Sequence, residues 1–276
     1  PVYGVTIIGN LTQFGSPSKT LRDFAAALKR ADIPCQTFNL DETPLVPPED
    51  YKDILTPKED FCLTRYSAII EITPTHVNFE LPGIKKARIA FWEFESGFLY
   101  AYPDMPSEDC VIAMSDFNAR YFKRILPSSC PVKKILFPFR ASTIDMPAPQ
   151  EIRSRFGIGK DDFMVLFNFD YGASYCRKNP EGAMRAFAAA FKNVPAVKLV
   201  FKTKSRQSNP DKSARLQSLA RELGLDAASK YIEISRELPF HDVIGLANAC
   251  DVYLSLHRGE GFGMTLAEAM SMGKPV

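Results

Sequence analysis

The sequence predicts an α/β protein of two doubly wound domains with mostly parallel sheets. Three observations carry this reading. Short, nearly continuous apolar runs recur along the 276 residues, as strands covered on both faces require. Amphipathic runs of helical period separate them, and strand–helix alternation of this kind builds parallel sheets. A stretch rich in proline and charge, near residues 138–161, interrupts the alternation, which then restarts. The chain thus divides into a first domain over 1–140, a linker over 141–160 and a second domain over 161–276. Ligands bind outside the carboxyl ends of parallel strands, so two such domains are expected to face a binding cleft.

YGVTIIG (3–9) reads as the first buried strand. In the helix SKTLRDFAAALKRA (18–31), Leu21, Phe24, Ala25 and Leu28 fall at i, i+3, i+4 and i+7, with Ser18 as N-cap. Residues 41–60, with several prolines, read as a surface excursion. YSAIIEI (66–72), ARIAFWEF (87–94) and CVIAMS (110–115) supply the next strands. In the second domain FMVLFNF (163–169), VKLVFK (197–202) and DVYLSL (251–256) are strands. NPEGAMRAFAAAFKN opens on Pro180 and places Met184, Phe187 and Phe191 on one helical face. PDKSARLQSLARELG closes at Gly224, as a helix C-cap prefers. At the end, Gly273 terminates a helix and Pro275-Val276 opens a strand that does not continue. The expectation is a second domain lacking its last elements.

Composition narrows the function classes. A hydrophobic fraction of 46%, a charged fraction of 24% and a formal net charge of +2 describe a globular chain without the basic excess of a nucleic-acid binder. No apolar run reaches the length of a membrane span, and PVYGVTIIGN is not a signal peptide. The six scattered cysteines form no C-x-x-C pair and the three histidines no ligand spacing, so no metal site is expected and a cytoplasmic location is. The basic clusters at Lys85-Lys86-Ala-Arg88, Lys123-Arg124 and Lys133-Lys134 are either solvated surface or a patch for peripheral contact with an anionic membrane face.

The chemistry concentrates in HRGEGFGMTLAEAM (257–270), a glycine-rich loop between a strand and a helix. Such a turn suits a phosphate, because free backbone N–H groups and the positive helix end converge on one point. Neither the dinucleotide fingerprint nor the P-loop spacing fits. Glu260 lies before the helix and Glu268 about a turn and a half inside it, with seven residues between them. Carboxylates beside a phosphate site would repel it, but a carboxylate also accepts two hydrogen bonds from a vicinal diol. One glutamate would then hold a sugar and the other a ribose. The plainer alternative is a capping carboxylate and an exposed helix residue. Arg177-Lys178, after the FMVLFNF strand, are candidate partners for a diphosphate, or ordinary surface charge.

SLHRGEGFGMTLAEAMSMGKPV resembles the Glu-x7-Glu signature of retaining, nucleotide-sugar-dependent glycosyltransferases of glycosyltransferase family 4, which have the GT-B fold. NFDYGASYCRKNPEGAMRAFAAAF resembles that family's second-domain opening, RIAFWEFE and CVIAMSDFNARYF its first-domain segment, and FGSPS its glycine-containing loop near the donor phosphates. The resemblance implies two Rossmann-like domains and a hexosyltransferase of polysaccharide biosynthesis needing no metal or other cofactor. Its donor would be a nucleotide diphosphate sugar and its acceptor a saccharide or a lipid-linked acceptor. It further implies that Glu260 contacts the transferred sugar, while Gly261, Phe262, Gly263, Met264 and Thr265 present the loop and helix start to sugar and diphosphate. Glu268 would bind the ribose, Lys178 with Arg177 would neutralise the leaving diphosphate, and Gly15 would approach the phosphates from the first domain.

Many members carry a histidine where this chain has Trp92-Glu93; Glu93 would face the acceptor, or be an ordinary polar residue at a strand end. His257 either lines the donor site or is structural. The competing reading is a non-catalytic nucleotide-sugar-binding or scaffold protein of the same fold, and a weaker one a phosphorylase-like enzyme or epimerase.

Overall fold

The computed structural model describes residues 2–13, 15–44, 51–72, 81–94, 96–141, 145–226 and 229–276. Part of the predicted excursion at 41–60, and residues 142–144 of the predicted linker, lie outside them. The chain separates into two compact units, Pro1–Thr143 and Ile144–Val276.

The first unit is a six-stranded, all-parallel sheet. Its strands are β1 (Val2–Gly9), β2 (Cys35–Asn39), β3 (Tyr66–Ile72), β4 (Lys85–Ala90), β5 (Cys110–Ala113) and β6 (Val132–Lys134), in the order β2-β1-β3-β4-β5-β6. Helix α1 (Ser16–Arg30) covers one face over Ile7, Ile70, Ile89 and Ile112. On the other, α2 (Phe98–Ala101) and α3 (Asp116–Ile125) cover Ala90, Val111 and Ala113. The order reverses between β1 and β3, and the β1–α1 loop emerges there. It is firmly braced: buried Arg22 donates to the carbonyls of Leu11 (2.8 Å) and Gln13 (3.1 Å), while Asn39 and Asp41 accept from the N–H groups of Leu11 and Thr12.

The second unit has the sheet order β10-β7-β8-β9, again all parallel, from β7 (Phe163–Asp170), β8 (Val197–Lys204), β9 (Tyr231–Ile234) and β10 (Val252–Tyr253). Leu166 of β7 pairs with Tyr253 on one side and Val200 on the other. Alternate residues of β7 feed two cores. Val165, Phe167 and Phe169 pack under α6 (Pro180–Phe191) and α7 (Pro210–Glu222). Met164 and Leu166 pack under α4 (Pro149–Arg155), α8 (Phe240–Ala249) and α9 (Met264–Ser271). Burial on both faces is what the unbroken apolar runs require.

Several expectations need correction. The linker over 141–160 contains α4, whose Ile152 is fully buried and whose Arg153 donates to Ala249 O (2.8 Å) and pairs with Asp251 (2.7 Å). Pro147 and Pro149 at its start masked a helix that belongs to the second core. α1 starts at Ser16, two residues early, capped by Gly15 rather than Ser18, because Pro17 fits the first turn of a helix. The strand predicted over 87–94 ends at Ala90: Asn118 takes over the Trp92 backbone, accepting from its N–H at 2.8 Å and donating to its carbonyl at 3.2 Å. β10 stops at Tyr253, beyond which Asn179 donates to Leu256 O at 3.0 Å.

Burial of Ile152 sets a test of the α4 assignment. Ile152→Ala is expected to cost about 3 kcal/mol in urea unfolding, the usual range for a core isoleucine, whereas a linker residue would change it by less than about 0.5 kcal/mol.

Candidate active site

In the second unit the strands leave β7 in opposite directions, β8 and β9 to one side and β10 to the other. The loops after β7 and β10 therefore part at a topological switch point, the crevice where open parallel sheets bind ligands. The β7 loop carries Arg177 and Lys178, which close the single-turn helix α5 (Tyr175–Lys178). The β10 loop carries His257, Glu260 and the glycines, and then enters α9.

The two loops are stapled together. Arg258 N–H donates to Arg177 O at 2.8 Å, and the Arg258 guanidinium to Cys176 O. Arg177 Nη1 donates to Gly259 O at 2.8 Å. Asn179, in the left-handed conformation at φ 50°, sends its amide to Leu256 O. The sequence reading missed Asn179 and Arg258. An asparagine before a helix-opening proline was the available signal, since asparagine tolerates that conformation best among non-glycine residues.

Glu260 is the focus of this joint. Its Oε1 accepts from Lys178 Nζ and, at 3.3 Å, from Arg177 Nη1. His257 Nδ1 lies 2.8 Å from the same oxygen. The imidazole sits edge-on to Phe167. Burial alone would raise the Glu260 carboxyl; His257 and Lys178 outweigh it and hold the group at about 2. Glu260 is thus ionised at neutral pH, with its charge offset by two neighbouring cations.

Helix α9 begins beside this carboxylate with no side-chain cap and no acidic residue in its first turn. Its start is left to backbone N–H groups, the arrangement that attracts an anion. Gly263 caps it at φ 83°, where a Cβ would also lie 3.3 Å from Leu266 Cδ1, so the loop-to-helix corner requires glycine. Met264 is buried beneath it, while Phe262 is exposed. Glu268 stands on the second turn of α9, half-buried. Burial, opposed by Thr265 and reinforced by the charges of Glu268 and Glu260, pushes the buried Tyr253 hydroxyl up. Tyr253 therefore stays protonated beneath both glutamates, a neighbour the sequence reading did not single out.

Gly15, Trp92 and Glu93 belong to the first unit. Gly15 caps α1 at φ 116°, with only Pro17 Cδ (3.9 Å) near where a Cβ would point among the described residues. Its conformation, rather than crowding, demands glycine. Trp92 is a packing residue: its indole N–H donates to Ser96 O at 2.8 Å and its ring meets Phe94, Phe98 and Tyr102 edge-on. Glu93 follows it, and its charge raises the Tyr102 hydroxyl further after burial has done so. Among the described residues no group of three His, Cys, Asp or Glu side chains is arranged to hold a metal ion.

Residues 150–276, which include the whole second-unit site, match the family described as glycosyl transferases group 1. No curated protein matches the sequence. Among solved structures, HepE of Anabaena in complex with UDP and glucose is similar at 15% identity and a TM-score of 0.62, over 100% of this chain and 80% of that one. Sucrose-phosphate synthase from Thermosynechococcus elongatus is similar at 15% identity and 0.61, again over 100% and 80%. WaaG, a glycosyltransferase involved in lipopolysaccharide biosynthesis, is similar at 16% identity and 0.58, over 99% and 80%. The chain has the GT-B fold.

The ion pair makes stability depend on acid. Glu260 in the folded chain sits at about 2, below its ordinary 4.5, so its ionised form stabilises the fold above pH 4.5 and that contribution is lost as pH falls toward 2. Glu260→Gln removes the dependence. In urea unfolding the gap between wild type and variant is expected to shrink by up to about 3 kcal/mol over that window, and a gap independent of pH would contradict the pairing.

Proposed function

We propose that this protein is a glycosyltransferase of family 4 that moves a sugar, with retention, from a nucleotide diphosphate sugar to a saccharide or lipid-linked acceptor. The reading rests on one juxtaposition: two cations, an ionised carboxylate and an uncapped helix start meet at the β7/β10 switch point. That HepE, of the same fold, is described in complex with UDP and with UDP-glucose supports a nucleotide-sugar donor.

The diphosphate lies at the start of α9, where the N–H groups of Met264 and Thr265 and the cations of Lys178 and Arg177 meet its charge. Gly261, Phe262 and Gly263 line the path of the sugar, and Glu260 accepts from its hydroxyls. Glu268 accepts from the ribose diol one helical turn further on. His257 packs behind Glu260 and keeps its carboxylate turned to the ligand. In the transfer, the bond from the anomeric carbon to the diphosphate breaks and the acceptor oxygen bonds that carbon on the same face. The acceptor proton passes to the departing phosphate oxygen. Lys178, Arg177 and the helix start stabilise the charge building on the leaving group, which is where preorganised electrostatics lower a barrier most. In the first unit Gly15 keeps the conformation of the family's glycine-containing loop, and Glu93, on the segment braced by Trp92, is assigned to the acceptor.

Calorimetry with UDP, GDP, ADP and their sugar conjugates tests the donor assignment, followed by product analysis with and without saccharide acceptors. One nucleotide is expected to bind selectively, and Glu268→Ala to weaken it by about tenfold to a hundredfold through loss of the charged diol contact. Glu260→Ala is expected to leave nucleotide binding in place and cut turnover by about a hundredfold or more. Equal, mild effects of both substitutions would contradict the roles, and donor binding without transfer to any acceptor would leave a binding protein of the same fold.

A further inference from the structure

We propose that Asn179 is a positioning residue for the transfer reaction: its side-chain amide ties the Lys178 loop to the Glu260 loop, and Gly182 is the notch that lets it reach. This role rests on the function proposed above for Lys178 and Glu260. Asn179 stands immediately before α6, where an asparagine side chain ordinarily caps a helix by accepting from its first N–H groups. Here it makes no such cap. Its Nδ2 instead donates to Leu256 O at 3.0 Å, 77 residues along the chain. The residue best suited to capping α6 is thus committed to the joint between the β7 and β10 loops.

The backbone around Asn179 suits this diversion. Its φ of 50° is left-handed, which asparagine tolerates better than most residues, and its N–H donates to Tyr175 O at 2.9 Å. In the first turn of α6, Gly182 faces the amide: a Cβ there would lie 2.5 Å from Asn179 Nδ2 and 2.6 Å from its Oδ1. The three atoms nearest that point all belong to Asn179, so the space glycine leaves is the space the amide occupies. The two ends of the bridge flank the reactive groups. Asn179 follows Lys178, whose Nζ meets Glu260 Oε1, and Leu256 precedes His257, whose Nδ1 lies 2.8 Å from that oxygen. Arg177 and Arg258 cross the same gap on long side chains that follow a shift of the loops; the short amide does not. A loop displaced by an ångström misplaces Lys178 where charge builds on the leaving diphosphate, so turnover suffers before nucleotide binding does.

Two substitutions test the bridge from opposite ends. Asn179→Gly keeps the left-handed backbone and removes the amide; Gly182→Ala leaves Asn179 in place and crowds its amide out. With the UDP, GDP or ADP sugar selected by calorimetry, kcat is expected to fall by about tenfold to a hundredfold in both, while nucleotide binding changes by less than about threefold. Alanine is the better helix former and offsets the lost hydrogen bond, so Gly182→Ala keeps its thermal unfolding midpoint within about 5 °C of the parent. A merely structural role would move stability and turnover together. Combined, the two substitutions lower kcat no further than Asn179→Gly alone, because the notch then has nothing to hold. Unchanged kcat in Asn179→Gly, or an equal loss from Gly182→Ala in both backgrounds, would overturn the proposal. If the parent turns over no nucleotide sugar, the proposed function fails and urea unfolding at pH 7 decides the bridge. The effect of Glu260→Gln is then expected to drop to about half or less in the Asn179→Gly background, and an undiminished effect overturns the positioning role.

Discussion

The contact between Lys178 and Glu260 is the constraint on which the candidate site depends. It joins two loops that leave neighbouring parallel strands and then diverge into helices on opposite faces of the sheet. Nothing in the backbone ladder holds such loops together, because pairing between β10 and β7 ends near Tyr253 and Leu166. The side-chain joint replaces it, with Arg177, Asn179 and Arg258 spanning the same gap through carbonyl contacts. Once the joint is closed, Gly263 can turn the chain into α9 with its first N–H groups beside the two cations. The loops on either side of the switch point are thereby locked to each other, which is what the proposed anion site requires.

How much of this was legible follows from where the physics is local. Helices α6, α7 and α9 are announced by their own residues: Pro180 and Pro210 open two of them, and Gly224 and Gly273 turn left-handed after two. The apolar strands β1, β3, β7 and β8 are equally plain, since burial on both faces leaves no room for polar alternation. Strands β2 and β9 were missed because their polar residues are satisfied at a distance. Gln36 donates to Thr6 across the sheet, and Glu233 accepts from Thr203 on neighbouring β8 and from Tyr171 just past the end of β7. A polar residue whose partner lies thirty or more positions away looks, in sequence, like a loop.

The same limit applies at the site. Gly-x-Gly between glutamates is plain in the sequence, but not the partner that holds Glu260 ionised, because Lys178 is 82 residues away. Glu233 shows the converse. The Glu233 carboxylate is committed within its own unit, to Tyr171 (3.0 Å), Thr203 (3.1 Å), Tyr231 (3.3 Å) and, at 3.6 Å, Arg206.

On the proposed function, the pairing also accounts for a carboxylate at a diphosphate site. An isolated glutamate beside the start of α9 would oppose an incoming anion over a distance of a few ångströms, where charges in a partly buried setting interact strongly. Bound to Lys178 and Arg177, Glu260 presents little net charge to an approaching donor. An arriving diphosphate can then share the two cations, and as it does so the carboxylate oxygens are freed toward the sugar hydroxyls. Donor binding and orientation of Glu260 become one event. The cost is that the diphosphate competes with Glu260 for Lys178, so part of its intrinsic affinity is spent on aligning the carboxylate that holds the transferred sugar.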